Sequence, residues 1–129
     1  MTSVDISKFP AIKFFKNTAA EILEGRKTLE PRPRSPAWIT RVQGASHARL
    51  TYGPMMGAAT VFAVARIDSV EIRGFGTATR ADIDRIGHGW PGRTVDDFVQ
   101  TYTGYFAAEL AKGYEVAWIR FTVDPELSP

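Results

Sequence analysis

The chain has no cysteine, only two histidines (His47 and His88), and no long apolar run. The first absence excludes a disulfide scaffold, thiol catalysis and every cysteine-ligated metal site. A zinc site would need both histidines plus carboxylates, at a spacing that matches no common helical ligand motif. Neither a metal nor a cofactor is therefore expected. No apolar segment approaches the ~20 residues that span a bilayer. The opening MTSVDISKFP lacks the charged-then-apolar layout of a signal peptide. The reading is a cytoplasmic protein without a membrane partner. A phosphate-binding G-x-x-x-x-G-K-S/T loop and a G-x-S-x-G nucleophile elbow are both missing. Gly74-Phe75-Gly76 is too short for a dinucleotide fingerprint. Internal repeats and low-complexity tracts are also lacking, and nothing in the sequence fixes an oligomeric state.

What remains is an ordinary globular composition over 129 residues, 44% hydrophobic and 23% charged. That length suits one domain covering residues 1–129. The net charge is only +2, but it is unevenly spread. Residues 1–50 carry nine basic and four acidic residues, and residues 51–129 carry seven and ten. The excess is concentrated in 26–49, where Arg26, Lys27, Arg32, Arg34, Arg41 and Arg49 face Glu30 alone. Such a stretch is either a solvated arginine-rich loop or a local patch that attracts a phosphate or polyanion.

Periodicity predicts a short strand over 11–16, then a helix. Thr18 and Glu21 have capping-box spacing, and Gly25 is the natural stop. Pro31 and Pro33 restrict the next segment to an edge strand or a polyproline-like extension, with PRPRSP read as a loop. Strands follow at 47–52 and 58–67, the latter continuing through 69–73 after a bend. Thr79 and Asp82 open a second helix, with Ile83 and Ile86 inward and Gly87 at its end. The strongest helix is 95–112, capped by Thr94 and Asp97 and stopped by Gly113. The final strand, 114–123, has Ala117, Ile119, Phe121 and Val123 on one clearly apolar side. These elements predict an α+β domain: a small β-barrel, whose closure removes exposed edges, flanked by two or three helices.

The informative stretch is Gly25-Arg26-Lys27-Thr28-Leu29-Glu30-Pro31-Arg32, of the form G-x-K-x-x-E-x-R, after the helix end AAEILEG. Lys27 offers an ammonium for phosphate, or for proton transfer if burial depresses its pKa. Glu30 can pair with it or accept from a base edge. Arg32 offers a planar fork for phosphate or for stacking. In a regular strand Glu30 and Arg32 share one side and Lys27 the other, so the three converge only through a bulge or with Lys27 in a turn. The alternative is a surface ion-pair cluster of little consequence. Glu30 is expected in the cleft, ionised and bonded to Lys27 or Arg32, holding the lysine protonated.

The motif and its place resemble the ASCH family of the PUA-like barrel superfamily, closely from Ile22 to Arg32 and in element order over most of the chain. The resemblance implies a PUA-like fold and an RNA-associated or nucleoside-handling module. One branch of that family hydrolyses the acetyl amide of N4-acetylcytidine, using a lysine that corresponds to Lys27, a threonine and a later glutamate. Here the threonine position is Glu30 and the glutamate aligns near Pro91. Lys27 alone transfers cleanly, and Thr28 is the nearest hydroxyl. The first expectation is therefore a cleft that binds RNA or a nucleotide-like small molecule through Lys27, Glu30, Arg32 and a stacking Tyr52. The competing one is a hydrolase of a modified nucleoside or of RNA, with Lys27, Glu30 and Thr28 as its catalytic groups. Trp38, His88 and Trp90 are further candidates for stacking or acid–base work. Tyr102 and Trp118 read as core, Tyr105 as either, and Met55-Met56 as a loop contact.

Overall fold

The computed structural model describes residues 4–53, 58–87, 89–90 and 92–129. The expectations placed on Met55-Met56, His88 and Pro91 lie outside these residues.

In chain order the strands are β1 (Ala11–Lys13), β2 (Leu29–Arg34), β3 (His47–Tyr52), β4 (Thr60–Ile72) and β5 (Glu115–Val123). The helices are α1 (Lys16–Leu23), α2 (Pro36–Gln43), α3 (Arg80–Ile86), α4 (Val95–Tyr105) and α5 (Ala107–Ala111). The strands form one sheet in the order β1-β3-β4-β5-β2. It is curled into a half-barrel, with five helices among the described residues rather than the two or three expected.

The sheet is buried on both faces. Along β5, Ala117, Ile119 and Phe121 join Ile12, Phe14, Ile22, Val42 and Leu50 in one cluster. The alternate residues Val116 and Trp118 join Leu29, Phe75, Ile83, Ile86 and Phe98 in a second. The sequence pattern predicts only one apolar side for β5. Its second side is filled because α3 and α4 cover it. Trp118 also places its indole N–H on the Arg73 carbonyl at 2.7 Å, which satisfies the only polar atom that burial would orphan.

Local chemistry explains most of the boundaries, and three expectations are corrected. First, α1 starts at Lys16, with Phe15 at the N-cap and no side-chain cap bond. The Thr18–Glu21 box does not form, because Thr18 is already in the first turn and its N–H meets Asn17 Oδ1 at 3.0 Å. At the other end Gly25 has φ +79. Its N–H donates to the Ile22 carbonyl and that of Arg26 to the Glu21 carbonyl, at 3.0 and 2.9 Å. This doubly bonded exit closes the helix as expected. Second, the segment after PRPRS is a helix, α2. Ser35 caps it, Pro36 occupies its first turn, and Gly44 follows its last residue. Third, the late helix is broken at Phe106 (φ −102, ψ 22) into α4 and α5. The Thr79–Asp82 box at α3 and the Thr94 cap at α4 are both formed. The bend inside β4 is a register shift between Ile67 and Ser69.

β2 is an edge strand, antiparallel to β5. The Phe121 N–H donates to the Thr28 carbonyl at 3.0 Å, which fixes the parity of the ladder. Glu30 and Arg32 therefore exchange bonds with β5, while Pro31 and Pro33 fall at positions whose N–H would point away from the sheet. The same parity puts Glu30, opposite Ile119, and Arg32, opposite Ala117, on the face of the first cluster.

Candidate functional site

The turn after Gly25 decides the geometry of the charged motif. Lys27 lies two residues before β2 begins, so its side chain is free of the strand's alternation and reaches the same place as Glu30 and Arg32. Its Nζ donates to the carbonyls of Leu29 and Ile86, both at 3.1 Å, and is 3.7 Å from Glu30 Oε2. The same carboxylate oxygen accepts from Arg32 Nη2 at 3.4 Å. Lys27 and Glu30 are 3% and 7% exposed, which makes this a largely enclosed cluster rather than a surface ion pair.

Arg32 has a second role. Its Nη2 also donates to the Lys13 carbonyl of β1, and its guanidinium lies 5.0 Å from the Phe14 ring. β1 and β2 are the two edges of the sheet, so this side chain spans an opening that backbone bonds leave unclosed. The Nε and Nη1 atoms of Arg32 have no hydrogen-bond partner among the described residues, and the side chain is 12% exposed. Glu30 Oε1 likewise has no hydrogen-bond partner among the described residues, in a side chain that is 9% exposed.

Burial pushes the Lys27 pKa down; the Glu30 charge opposes this and the Arg32 charge adds to it. Glu30 is expected from the sequence to hold Lys27 protonated; its charge does act in that direction, but burial outweighs it. The Ile86 carbonyl belongs to the last residue of α3, so the ammonium also sits at the negative end of that helix. Tyr102 feels the cluster as well. Burial raises its hydroxyl pKa, the Glu30 charge raises it further, and a bond from the Trp90 side chain opposes the shift.

Tyr52 ends β3, half-buried. Its ring is 5.8 Å from Phe62, Phe62 is 6.3 Å from Phe14, and Phe14 carries Arg32. A row of aromatics thus links Tyr52 to the cluster, and Lys16 Nζ lies 5.9 Å above the Tyr52 ring. Thr28 joins differently. Its N–H donates to the Arg85 carbonyl, and it lines a groove of about 190 Å³ with Lys27, Leu23, Phe121 and Val123. Glu30 and Arg32 do not line that groove, so the hydroxyl and the carboxylate do not share one cavity. Trp38 is half-buried on the first cluster, with Arg34 5.7 Å from its ring. Trp90 is buried in the second cluster rather than offered from a loop, Tyr102 packs on Phe98 at 4.3 Å, and Tyr105 is 70% exposed. No group of three or more metal-ligating side chains occurs among the described residues. No helix among them is long and apolar enough to cross a membrane.

The sequence reading missed Phe14, Lys16 and the Lys13 and Ile86 carbonyls. The run Lys13-Phe14-Phe15-Lys16 was a visible signal for the first two. The carbonyls belong to backbone that only the tertiary fold brings to the motif.

The fold of this chain is matched by solved structures. An ASCH domain from Lactobacillus crispatus JV V101 superimposes over 89% of this chain and 79% of its own, with TM-score 0.62 and 15% identity. This chain has an ASCH-type fold. Protein EF3133 of the DUF984 family, from Enterococcus faecalis V583, superimposes over 84% of this chain and 67% of its own, with TM-score 0.62 and 17% identity. A serine-to-alanine variant of ZmASCH from Zymomonas mobilis covers 97% of this chain and 73% of its own, with TM-score 0.56 and 19% identity. No family model matches the sequence, and no curated protein matches it. The likeness is one of ASCH fold.

Proposed function

We propose that this ASCH-type module binds RNA or a nucleotide-like ligand at the cationic opening beside Arg32. The observation that carries the reading is the state of the Arg32 guanidinium. One nitrogen is committed to Glu30 and the Lys13 carbonyl, the group rests on Phe14, and the other two nitrogens are unspent in a side chain that keeps 12% of its surface open. A guanidinium held in place with donors to spare suits a phosphate. Glu30 Oε1, also unspent, suits the exocyclic amine of a base, as carboxylates accept from cytosine N4. Tyr52 offers a ring for stacking, with Lys16 beside it. Lys27 holds Glu30 from beneath. The ASCH-type fold supports the reading by likeness only, since a fold hosts many functions.

The test is a titration with a labelled single-stranded RNA at several salt concentrations. Arg32→Ala should weaken binding and lower the salt slope by about one counterion. Arg32→Lys should restore the slope but not the full affinity. Unchanged affinity and slope in Arg32→Ala would remove Arg32 from the site.

A second reading, a hydrolase of an N4-acetylcytidine-type amide or of RNA, draws on the depressed pKa of Lys27 beside a carboxylate. It needs Thr28 as the hydroxyl, while Lys27 Nζ is committed to the Leu29 and Ile86 carbonyls. Incubation with acylated cytidines and single-stranded RNA separates the two. Turnover lost in Lys27→Ala selects the hydrolase, and binding without turnover selects the module.

A further inference from the structure

We infer that Phe15 is a stacking platform for a base of single-stranded RNA, at the corner where β1 turns into α1. This rests on the binding reading above and extends it to a residue outside the charged motif. Phe15 is 71% exposed, and among the described residues no ring or cation packs on it. Its position disfavours it twice. It is the N-cap of α1, where a short polar side chain would bond the first turn, and it makes no such bond. Asn17 supplies that bond instead. Its ring also gains nothing from the core, because the alternation that buries Ile12 and Phe14 turns Lys13 and Phe15 outward. A residue that breaks both local rules without a compensating contact is the pattern of a functional position.

The surroundings identify the occupant. Lys13 and Lys16 flank Phe15, and Lys16 reaches across to the Tyr52 ring. The other large exposed aromatic, Tyr105, is braced edge-on against Phe106 at 4.8 Å. An exposed π-surface with a lysine on either side of it in the chain matches a polyanion whose repeating units carry flat faces, which is a single-stranded nucleic acid. Just past the end of β1 burial alternates, with Phe14 6% exposed and Phe15 71% exposed. A ligand that touches Arg32 over Phe14 and also stacks on Phe15 therefore spans two separate positions, as a chain of nucleotides does and a single nucleotide does not.

The experiment compares an eight-nucleotide oligouridylate, uridine monophosphate and inorganic polyphosphate as probes, on wild type, Phe15→Ala, Phe15→Leu and Phe15→Trp. Phe15→Ala and Phe15→Leu should weaken the oligonucleotide about tenfold and leave the monophosphate and polyphosphate unchanged. Phe15→Trp should retain affinity, with its added indole fluorescence quenched on binding. Equal oligonucleotide affinity in all four proteins would overturn the inference while leaving the binding reading intact. No oligonucleotide binding by the wild type would overturn both. If instead Phe15→Ala alters only the protein's self-association, measured by sedimentation, the platform is a contact between copies and the inference falls.

Discussion

Replacing Arg32 by alanine tests whether this one side chain closes the half-barrel. Three contacts disappear together. The charged hydrogen bond to the Lys13 carbonyl contributes about 1.5–3 kcal/mol. The guanidinium over Phe14, 5.0 Å away and mostly shielded, contributes about 0.5–2 kcal/mol. Glu30 loses its 3.4 Å partner and keeps only Lys27 at 3.7 Å. These terms share one geometry and do not add fully, so the expected loss is about 2–4 kcal/mol. For a domain of this size that corresponds to a melting temperature lower by about 8–16 °C. Urea unfolding followed by circular dichroism gives the number. A cycle with Phe14→Leu then isolates the ring term, with an expected coupling of about 0.5–2 kcal/mol. A loss below about 0.5 kcal/mol in Arg32→Ala would mean that the contact behaves like any exposed ion pair. The closing role would then be refuted.

Two further outcomes follow from the ionisable groups. The folded state holds the Lys27 pKa below its ordinary value, so over the range up to about 10.4 the unfolded chain binds the extra proton and stability rises with pH. Wild type should gain on Lys27→Met between pH 7 and 10 in urea unfolding, and a pH-independent difference would contradict the assignment. For Asp82, burial alone would raise the pKa, but bonds from Arg73 and Thr79 outweigh it and leave it lowered. Its contribution is then present above the unfolded value of about 3.9 and lost as pH falls through the folded pKa. Asp82→Asn should destabilise the protein at pH 7, with the gap narrowing as unfolding is measured toward pH 2. A gap that stays constant would rule out the carboxylate as its source.

The parts of the fold that were legible in the sequence are those governed by local chemistry. Gly25, the Thr79–Asp82 box, the Thr94 cap and the two prolines of β2 each act within a few residues of where they stand. The helix after Ser35-Pro36 was also written locally, but the prolines before it drew the whole stretch into a loop reading. The break at Phe106 was not legible, because unbroken helical spacing runs through it. At the site, the spacing of Lys27, Glu30 and Arg32 announced a cluster and left open whether it would assemble. The turn before β2 resolved that. The partners that define the cluster's chemistry, the carbonyls of Lys13 and Ile86, lie 19 and 59 residues from the side chains that use them. Only tertiary structure could supply them.

The two prolines of β2 have a consequence for the protein in a crowded solution. A free sheet edge is a template on which another chain can extend the ladder, and that is how folded domains seed aggregates. Along this edge Pro31 and Pro33 present no amide proton, and the Leu29 and Pro33 carbonyls are already taken by Lys27 Nζ and Arg34 Nη1. An incoming strand would meet no donor at Pro31 or Pro33 and no free acceptor at Leu29 or Pro33. The strand that carries Arg32 and Arg34 thereby offers a second copy few backbone groups to pair with.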